Sequence, residues 1–253
     1  TLRSVVLYIM ELCDPNYIDT PKFTIDPHDS PLFTAIRNKE KKYVNLGISH
    51  GIPGMLLLLI KTYEAGIVVP KQLDTIKFVA IYISNCCIKK EKEIFWESQK
   101  IVGMSNIGAI AARDAWCYGT PGVSYSLLRA SKILKDEEMF HLAVNSMKLS
   151  IKERREIISP TFCHGLSGLC CLARKYYEYT SDGYFYDAYM NLLGDIVNLY
   201  NEDAPFGFKD KEIKRGKIVS EDEIGLLTGA SGVILTILSC YRPVATKWDS
   251  IFL

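Results

Sequence analysis

The sequence lacks an excess of charge of either sign. Its 30 lysines and arginines nearly balance its 29 aspartates and glutamates, which leaves a formal net charge of +1. That balance gives no electrostatic basis for binding nucleic acid or an anionic membrane surface, so nucleic acid is not expected as a partner. Long hydrophobic runs are also lacking. The longest aliphatic run, residues 55–60, is far too short to span a bilayer.

The chain also lacks the cysteine pattern of a small disulfide-bonded protein. It has eight cysteines, but four of them form two adjacent pairs, Cys86-Cys87 and Cys170-Cys171, and no disulfide framework is visible. With 253 residues, 48% of them hydrophobic, the chain can bury a sizeable core without such bridges. Reduced thiols are therefore expected, and with them a cytoplasmic location.

The first residues are predicted to form a helix over 2–13, which Asp14-Pro15 ends. Because apolar residues recur at helical spacing from the first turn and no Met starts the chain, we expect part of the full protein to precede Thr1. Residues 14–45 contain four prolines and short β-prone pieces. They are predicted to be a small irregular, β-containing insertion within one domain that spans 1–253.

Four Gly-x-x-Gly turns, each followed by an apolar helix, are the main architectural signal. They occupy residues 51–54, 119–122, 165–168 and 229–232. The helices that these turns open are almost free of charge in their first turns, which predicts burial on all sides. The helices between them carry more charge. This alternation predicts an all-α fold with two concentric layers, in which inner helices are ringed by outer ones in a closed or curved array.

Residues 202–224 interrupt the helical pattern. They contain Pro205, Gly207 and a charged stretch over 209–217. We interpret them as a long exposed loop, and a solvated connection without a functional role is the favoured interpretation.

The two positions before the first glycine of each turn, here called positions −2 and −1, carry the candidate chemistry. The four pairs are Ser49-His50, Cys117-Tyr118, Cys163-His164 and Leu227-Thr228. If the helices all start at the same end of the array, these side chains converge. Cys117, Cys163 and His164 then supply the sulfur and imidazole donors that Zn²⁺ prefers. Three protein ligands leave the fourth tetrahedral position open, as in catalytic zinc sites.

A single Cys-His turn has an ordinary alternative, a buried cysteine beside a hydrogen-bonded histidine. The recurrence at one aligned position favours the metal site over that alternative. Two roles are open to His50: a fourth ligand, or an acid/base near the metal, since imidazole titrates close to neutral pH. The second role is favoured, because a closed site leaves no position for a substrate.

The four turns resemble those of the lanthionine synthetase C-like family, the lanthipeptide cyclases. The matching stretches run in family order from residue 45 onward: Asn45–Gly54, Trp116–Gly122, Cys163–Gly168 and Gly225–Gly232. The resemblance implies an α/α toroid, a double layer of inner and outer helices around a central zinc ion. It implies three metal ligands, which are Cys117, Cys163 and His164. It also makes His50 the acid/base beside the metal, with Arg113 and Tyr118 lining the site.

The resemblance further implies a reaction, which the spacing alone does not give. Cysteine thiols of a precursor peptide add to dehydroalanine or dehydrobutyrine in the same peptide, and (methyl)lanthionine thioether rings of a lantibiotic close. The implied partners are the dehydrated precursor peptide, a separate dehydratase and a peptide transporter. Through such a complex the cytoplasmic protein would be held at the membrane.

Two departures from the family are visible. The family has additional toroid repeats before this point, together with a functional acidic residue that has no matching position here. Fused dehydratase–cyclase relatives tend to carry His where this chain has Tyr118, so Tyr118 indicates a free-standing cyclase.

Two other functions stay open. Eukaryotic relatives resemble proteins that add glutathione to dehydroamino acids, and the same zinc site would serve that reaction. A zinc-stabilised helical scaffold that only binds partners predicts instead a closed, four-coordinate site with His50 as a ligand.

Overall fold

The computed structural model describes residues 1–17, 24–29, 40–104, 108–214, 216–241 and 247–253. Within this part, eight α-helices dominate, and three small antiparallel sheets of two strands each are added to them. The helices are α1 (Leu2–Leu12), α2 (Ile52–Glu64), α3 (Gln72–Asn85), α4 (Thr120–Leu134), α5 (Glu137–Glu153), α6 (Leu166–Thr180), α7 (Gly183–Val197) and α8 (Ala230–Tyr241). The strand pairs are β1 (Tyr43–Asn45) with β4 (Gln99–Ile101), β2 (Ile88–Lys90) with β3 (Glu93–Phe95), and β5 (Asp210–Lys214) with β6 (Lys217–Glu221).

The chain divides into two compact units. The first contains Thr1–Ala112 and Val123–Asn145, and the second contains Arg113–Gly122 and Ser146–Leu253. One domain over 1–253 stays a prediction. Of the six predicted site residues, His50 belongs to the first unit and the other five belong to the second. No helix in the described part of the chain combines the length and the apolar character needed to cross a membrane.

The first unit contains the predicted N-terminal helix and the predicted insertion. The helix predicted over 2–13 is α1, so that prediction is confirmed. In the described parts of 14–45 there are two short 3₁₀ turns and strand β1, and Ile25 forms an isolated antiparallel bridge with Tyr43. These features agree with an irregular, β-containing segment. Positions 18–23 and 30–39 of the insertion lie outside the described residues.

The packing of α2 against α3 forms the core of the first unit. Helix α2 has Pro53 in its first turn, where a missing N–H breaks no helical hydrogen bond. Both helices bury aliphatic side chains completely, among them Leu59 and Ile83. The buried indole N–H of Trp96 donates to the carbonyl oxygen of Ile83 at 2.8 Å, which joins the following loop to the end of α3.

The second unit is built on α6, α7 and α8, which pack against one another. The first two turns of α6, residues 166–173, are buried all round. Helix α7 buries one face that includes Phe185 and Leu192, and it exposes Tyr186 and Met190 on the other. The predicted contrast between an uncharged, wholly buried helix and a half-buried one is confirmed for this pair.

Candidate metal centre

The Gly-x-x-Gly turns that open α2, α6 and α8 share one backbone geometry. In each turn, a Cβ added to the second glycine would lie less than 3.0 Å from the carbonyl oxygen six residues earlier, closer than real Cβ atoms approach. The glycines and the residues that own these oxygens are Gly54 with Ile48, Gly168 with Phe162, and Gly232 with Leu226. Only glycine permits this close approach of the backbone, so the repeated motif encodes a repeated turn.

The turns before α4, α6 and α8 are joined through their main chains at position −2. The N–H of Cys117 donates to the carbonyl oxygen of Cys163 at 3.1 Å, and the N–H of Cys163 donates to the carbonyl oxygen of Leu227 at 2.8 Å. Three of the four residues aligned at position −2 are therefore neighbours in space, although they are far apart in sequence. The main chains of these three turns therefore meet, and the shared metal site of their side chains stays a prediction.

The side chains of Cys117 and Cys163 share a hydrogen bond. The bond donated by the Cys163 thiol is the main cause that lowers the pKa of Cys117, and the positive charge of Arg113 lowers it further. The same bond raises the pKa of Cys163, the member of the pair that keeps its proton. The first proton of the pair is therefore lost more easily than that of an ordinary cysteine, and thiolate is the form of cysteine that binds metals.

His164 lies beside the two thiols with one ring nitrogen committed to a carboxylate. Its Nε2 is 2.8 Å from Oδ1 of Asp210, and the imidazole is buried. Burial alone would raise the pKa of Asp210, but hydrogen bonds from His164, Ser159 and Thr161 outweigh it and lower the pKa. An ionised carboxylate only accepts hydrogen bonds, so Nε2 carries the proton and donates it. In the neutral form of the ring, Nδ1 is the nitrogen that carries the lone pair.

Asp210 comes from a region that the sequence analysis describes wrongly. Residues 202–224 are not a solvated loop, because 210–214 and 217–221 form the antiparallel hairpin β5–β6, with Asp210 opposite Glu221 and Gly216 in the turn at a φ of +73°. Asp210 is only 9% exposed and contacts a predicted ligand. The sequence signal for this hairpin is the β-branched Ile213 before the glycine and the β-branched pair Ile218-Val219 after it.

A second buried carboxylate, that of Asp114, anchors the segment that leads into the Cys117 turn. Asp114 is fully buried and accepts hydrogen bonds from the hydroxyl of Ser150 at 2.8 Å and from the main-chain N–H of Arg155 at 2.9 Å. Its burial raises its pKa, and these donors oppose that rise. No local sequence pattern marks Asp114, because both partners are supplied from the end of α5 and the loop after it, more than thirty positions away.

Aromatic rings pack the Cys117 and Cys163 turns together. The Trp116 ring lies 5.3 Å from the Phe162 ring and 5.5 Å from the Phe252 ring, centroid to centroid. The residue before each cysteine is thus an aromatic side chain, and the two pack on each other. This contact helps to hold the sulfurs at a fixed separation.

The remaining predicted site residues are distributed as follows. Arg113 is about one-third exposed, and its Nη1 lies 3.9 Å from Oε1 of Glu212. Tyr118 is half-buried. His50 is exposed and belongs to the first unit. The roles of these three residues stay predictions.

The donor set at the junction of the turns fits zinc. The thiols of Cys117 and Cys163 and the imidazole of His164 are the soft and borderline ligands that Zn²⁺ prefers. Their arrangement is that of hydrogen-bonded thiols. Among the described residues, no group of three or more His, Cys, Asp or Glu side chains is arranged as a metal site. Zinc ligation requires that both thiols lose their protons, including the proton of Cys163 that forms the hydrogen bond to Cys117.

Comparison with known proteins adds three findings. A family model described as "Lanthionine synthetase C-like protein" matches residues 4–253. The chain is 23% identical over 203 residues to the nisin biosynthesis protein NisC of Lactococcus lactis subsp. lactis, a match that covers 77% of this chain and 44% of that protein. Among solved structures, nisin cyclase matches with a TM-score of 0.79 and 19% identity, over 98% of this chain and 59% of that one.

These comparisons show how much of its relatives the chain spans and which fold it has. The chain spans less than half the length of the curated relative. The likeness to the solved structure shows the fold, and it confirms the predicted all-α class with the α/α-toroid architecture.

Proposed function

Because the chain belongs to the lanthionine synthetase C-like protein family, we propose that it carries the zinc-dependent, ring-forming activity of a lanthipeptide cyclase. The observation that carries this proposal is the meeting of Cys117 and Cys163 beside His164. The similar proteins are named for nisin biosynthesis and as nisin cyclase, which supports the same class of reaction.

Cys117, Cys163 and His164 are the residues that would hold the metal ion. Three ligands leave the fourth tetrahedral position for a substrate cysteine. The zinc ion would lower the pKa of a substrate thiol bound at this position, so that the thiol is a thiolate at neutral pH. The half-buried Arg113 lowers the pKa of Cys117, so it favours the anionic form of this ligand.

The substrate is a precursor peptide that already contains dehydroalanine or dehydrobutyrine. A cysteine thiol of the peptide gives up its proton to water, and its sulfur bonds to the β-carbon of the unsaturated residue while the electron pair of the double bond moves toward the α-carbon and its carbonyl. His50 donates a proton to that α-carbon, which completes the thioether. Arg113 and Tyr118 line the site and position the peptide.

The partners follow from the substrate. A free-standing cyclase receives its peptide from a separate dehydratase and passes the product to a peptide transporter. None of the eight cysteines, all of which lie in the described part of the chain, forms a disulfide, which fits an enzyme that works in a reducing compartment such as the cytoplasm.

The purified protein, incubated with a dehydrated precursor peptide and zinc, is expected to close thioether rings. Ring closure leaves the peptide mass unchanged and removes free thiols, so mass spectrometry after thiol alkylation counts the rings. A parallel reaction contains glutathione. Peptides that lose alkylatable thiols without a glutathione adduct support the proposal. Glutathione adducts on a peptide whose thiols stay free would support glutathione transfer instead, and unchanged peptide in both reactions contradicts any thioether-forming role.

Replacement of His50 by alanine is expected to slow ring closure by about 10²-fold or more, the usual range for loss of a general acid. Zinc content is expected to stay at the wild-type level, because His50 acts on the peptide and not on the metal. The measurement pairs the ring-counting assay with metal analysis of the same sample.

His141→Ala is the matched control, because His141 is also an exposed histidine of the first unit. This variant is expected to keep both zinc and activity. If His50→Ala loses zinc together with activity, His50 is a ligand and the scaffold model with a closed site gains support.

A further inference from the structure

We propose that Asp210 is a positioning residue that fixes His164 as a metal ligand. The proposal rests on the zinc site proposed above and names a residue outside the predicted ligand set. The evidence for it is the set of hydrogen bonds that join Asp210, in the hairpin, to the segment that contains the Cys163-His164 turn.

Asp210 binds the whole segment that leads into the turn. Its Oδ1 accepts from Nε2 of His164 at 2.8 Å, from Oγ of Ser159 at 2.7 Å and from Oγ1 of Thr161 at 3.2 Å. Three residues within 159–164 thus converge on one carboxylate oxygen. The oxygen of Ser159 in turn accepts from the N–H of Thr161 and the N–H of Lys211, each at 3.3 Å, so its own proton is available to Asp210.

The rest of the hairpin contributes little burial of its own. Asp210 is the only buried residue among the described strand residues of β5 and β6, and Ile213 and Ile218 are 51% and 65% exposed. The strand is therefore not held in place by a hydrophobic face of its own. The Asp210 carboxylate makes the hydrogen bond from the hairpin to the predicted ligand His164, whereas Glu212 lies 3.8 Å from the same Nε2 and 3.9 Å from Nη1 of Arg113.

The contact between Asp210 and Nε2 also affects Nδ1, the other nitrogen of the His164 ring. A carboxylate that accepts the Nε2 proton fixes the tautomer and the ring orientation, and it increases the basicity of Nδ1. Nδ1 is then the nitrogen available to a metal held with Cys117 and Cys163. A neutral amide in place of Asp210 keeps the shape and the acceptor oxygen but loses the charge, and it can also turn its NH₂ toward the ring.

The test compares Asp210→Asn with the matched variant Glu212→Gln. Glu212 is the next carboxylate on the same face of β5 and lies 3.8 Å from Nε2 of His164, beyond hydrogen-bond distance. Zinc affinity is measured by competition with a chromophoric chelator. Asp210→Asn is expected to weaken zinc binding about 10- to 100-fold, the range found for lost partners of ligand histidines. Glu212→Gln is expected to change it by no more than about threefold, because partly exposed charges interact weakly.

Two further readouts separate positioning from mere structural support. In the cobalt-substituted protein, Asp210→Asn is expected to shift the d–d bands, which respond to the imidazole ligand, and to keep the thiolate-to-cobalt charge-transfer band. In the zinc-free wild-type protein, ¹⁵N NMR of His164 is expected to show the Nε2–H tautomer, a measurement that needs no variant to fold.

The outcomes distinguish this inference from the proposed function. If the wild-type protein binds zinc and Asp210→Asn binds it equally tightly, or if His164 is an Nδ1–H tautomer, the positioning role is wrong and the zinc site stands. If the wild-type protein binds no zinc, the proposed function itself fails. If the variant loses thermal stability along with affinity, the wild-type NMR decides: the Nε2–H tautomer supports the positioning role, and the Nδ1–H tautomer overturns it.

Discussion

Replacement of Cys163 by alanine is expected to abolish zinc binding and ring closure together. The wild-type protein should contain about one zinc ion per chain, and the variant less than about a tenth of that amount, since a site left with one thiolate and one imidazole binds zinc far more weakly. Cys117→Ala is expected to behave in the same way. Elemental analysis of the dialysed protein gives the metal content, and the ring-counting assay gives the activity.

Cys171→Ala provides the control for this prediction. Cys171 is a fully buried thiol of α6 that contacts the hydroxyl of Thr236, and burial raises its pKa to about 12, so it is a core side chain rather than a ligand. This variant should keep zinc and activity while losing some stability. Full zinc content in Cys163→Ala would defeat the ligand assignment.

Replacement of Gly165 by alanine is expected to destabilise the second unit by about 3 kcal/mol or more, at the upper end of single-residue effects. A Cβ at this position would lie 2.6 Å from the carbonyl oxygen and 2.7 Å from the nitrogen of Thr161, and closer still to the carbonyl oxygen of Ser159. These are backbone atoms, so the loop that carries both His164 and Cys163 must move. Urea denaturation measures the loss as a lower unfolding midpoint, and zinc affinity should fall with it.

Gly194→Ala is the matched substitution with the opposite expected sign. Gly194 lies inside α7, and a Cβ there would meet no atom within 4 Å. Alanine is favoured over glycine within a helix by about 0.5–1 kcal/mol, so the unfolding midpoint should rise. Equal midpoints for the two variants would show that the tight backbone approach at residue 165 is not what the turn requires.

The ligand turns could be predicted from sequence because their geometry repeats. The close backbone approach recurs in the turns that open α2, α6 and α8, and main-chain hydrogen bonds at position −2 join the Cys117 turn to the α6 turn, and that turn to the α8 turn. Alignment on the glycines was therefore enough to predict that Cys117 and Cys163 share a position. The helices between the turns were predictable for a related reason. A residue such as Phe185 or Leu192 marks the buried face of α7 through local spacing alone.

The carboxylates behind the site could not be predicted in this way. Asp210 stands among charged neighbours, and only the pairing of β5 with β6 and the contact with His164 distinguish it from an exposed acid. Asp114 becomes fully buried because Ser150 and Arg155 reach it from a distant part of the chain. Neither contact leaves a periodic trace, since each joins single residues across long sequence separations.

The main-chain connection between turns also explains how a turn can matter without bearing a functional side chain. Leu227 occupies position −2 of the last turn, yet its contribution to the site is a carbonyl oxygen that any amino acid possesses. Its side chain is 37% exposed. Many side chains are therefore acceptable at residue 227, provided that the backbone keeps its path. The last turn positions Cys163 through this main-chain hydrogen bond. A search for reactive side chains alone would not find this contribution.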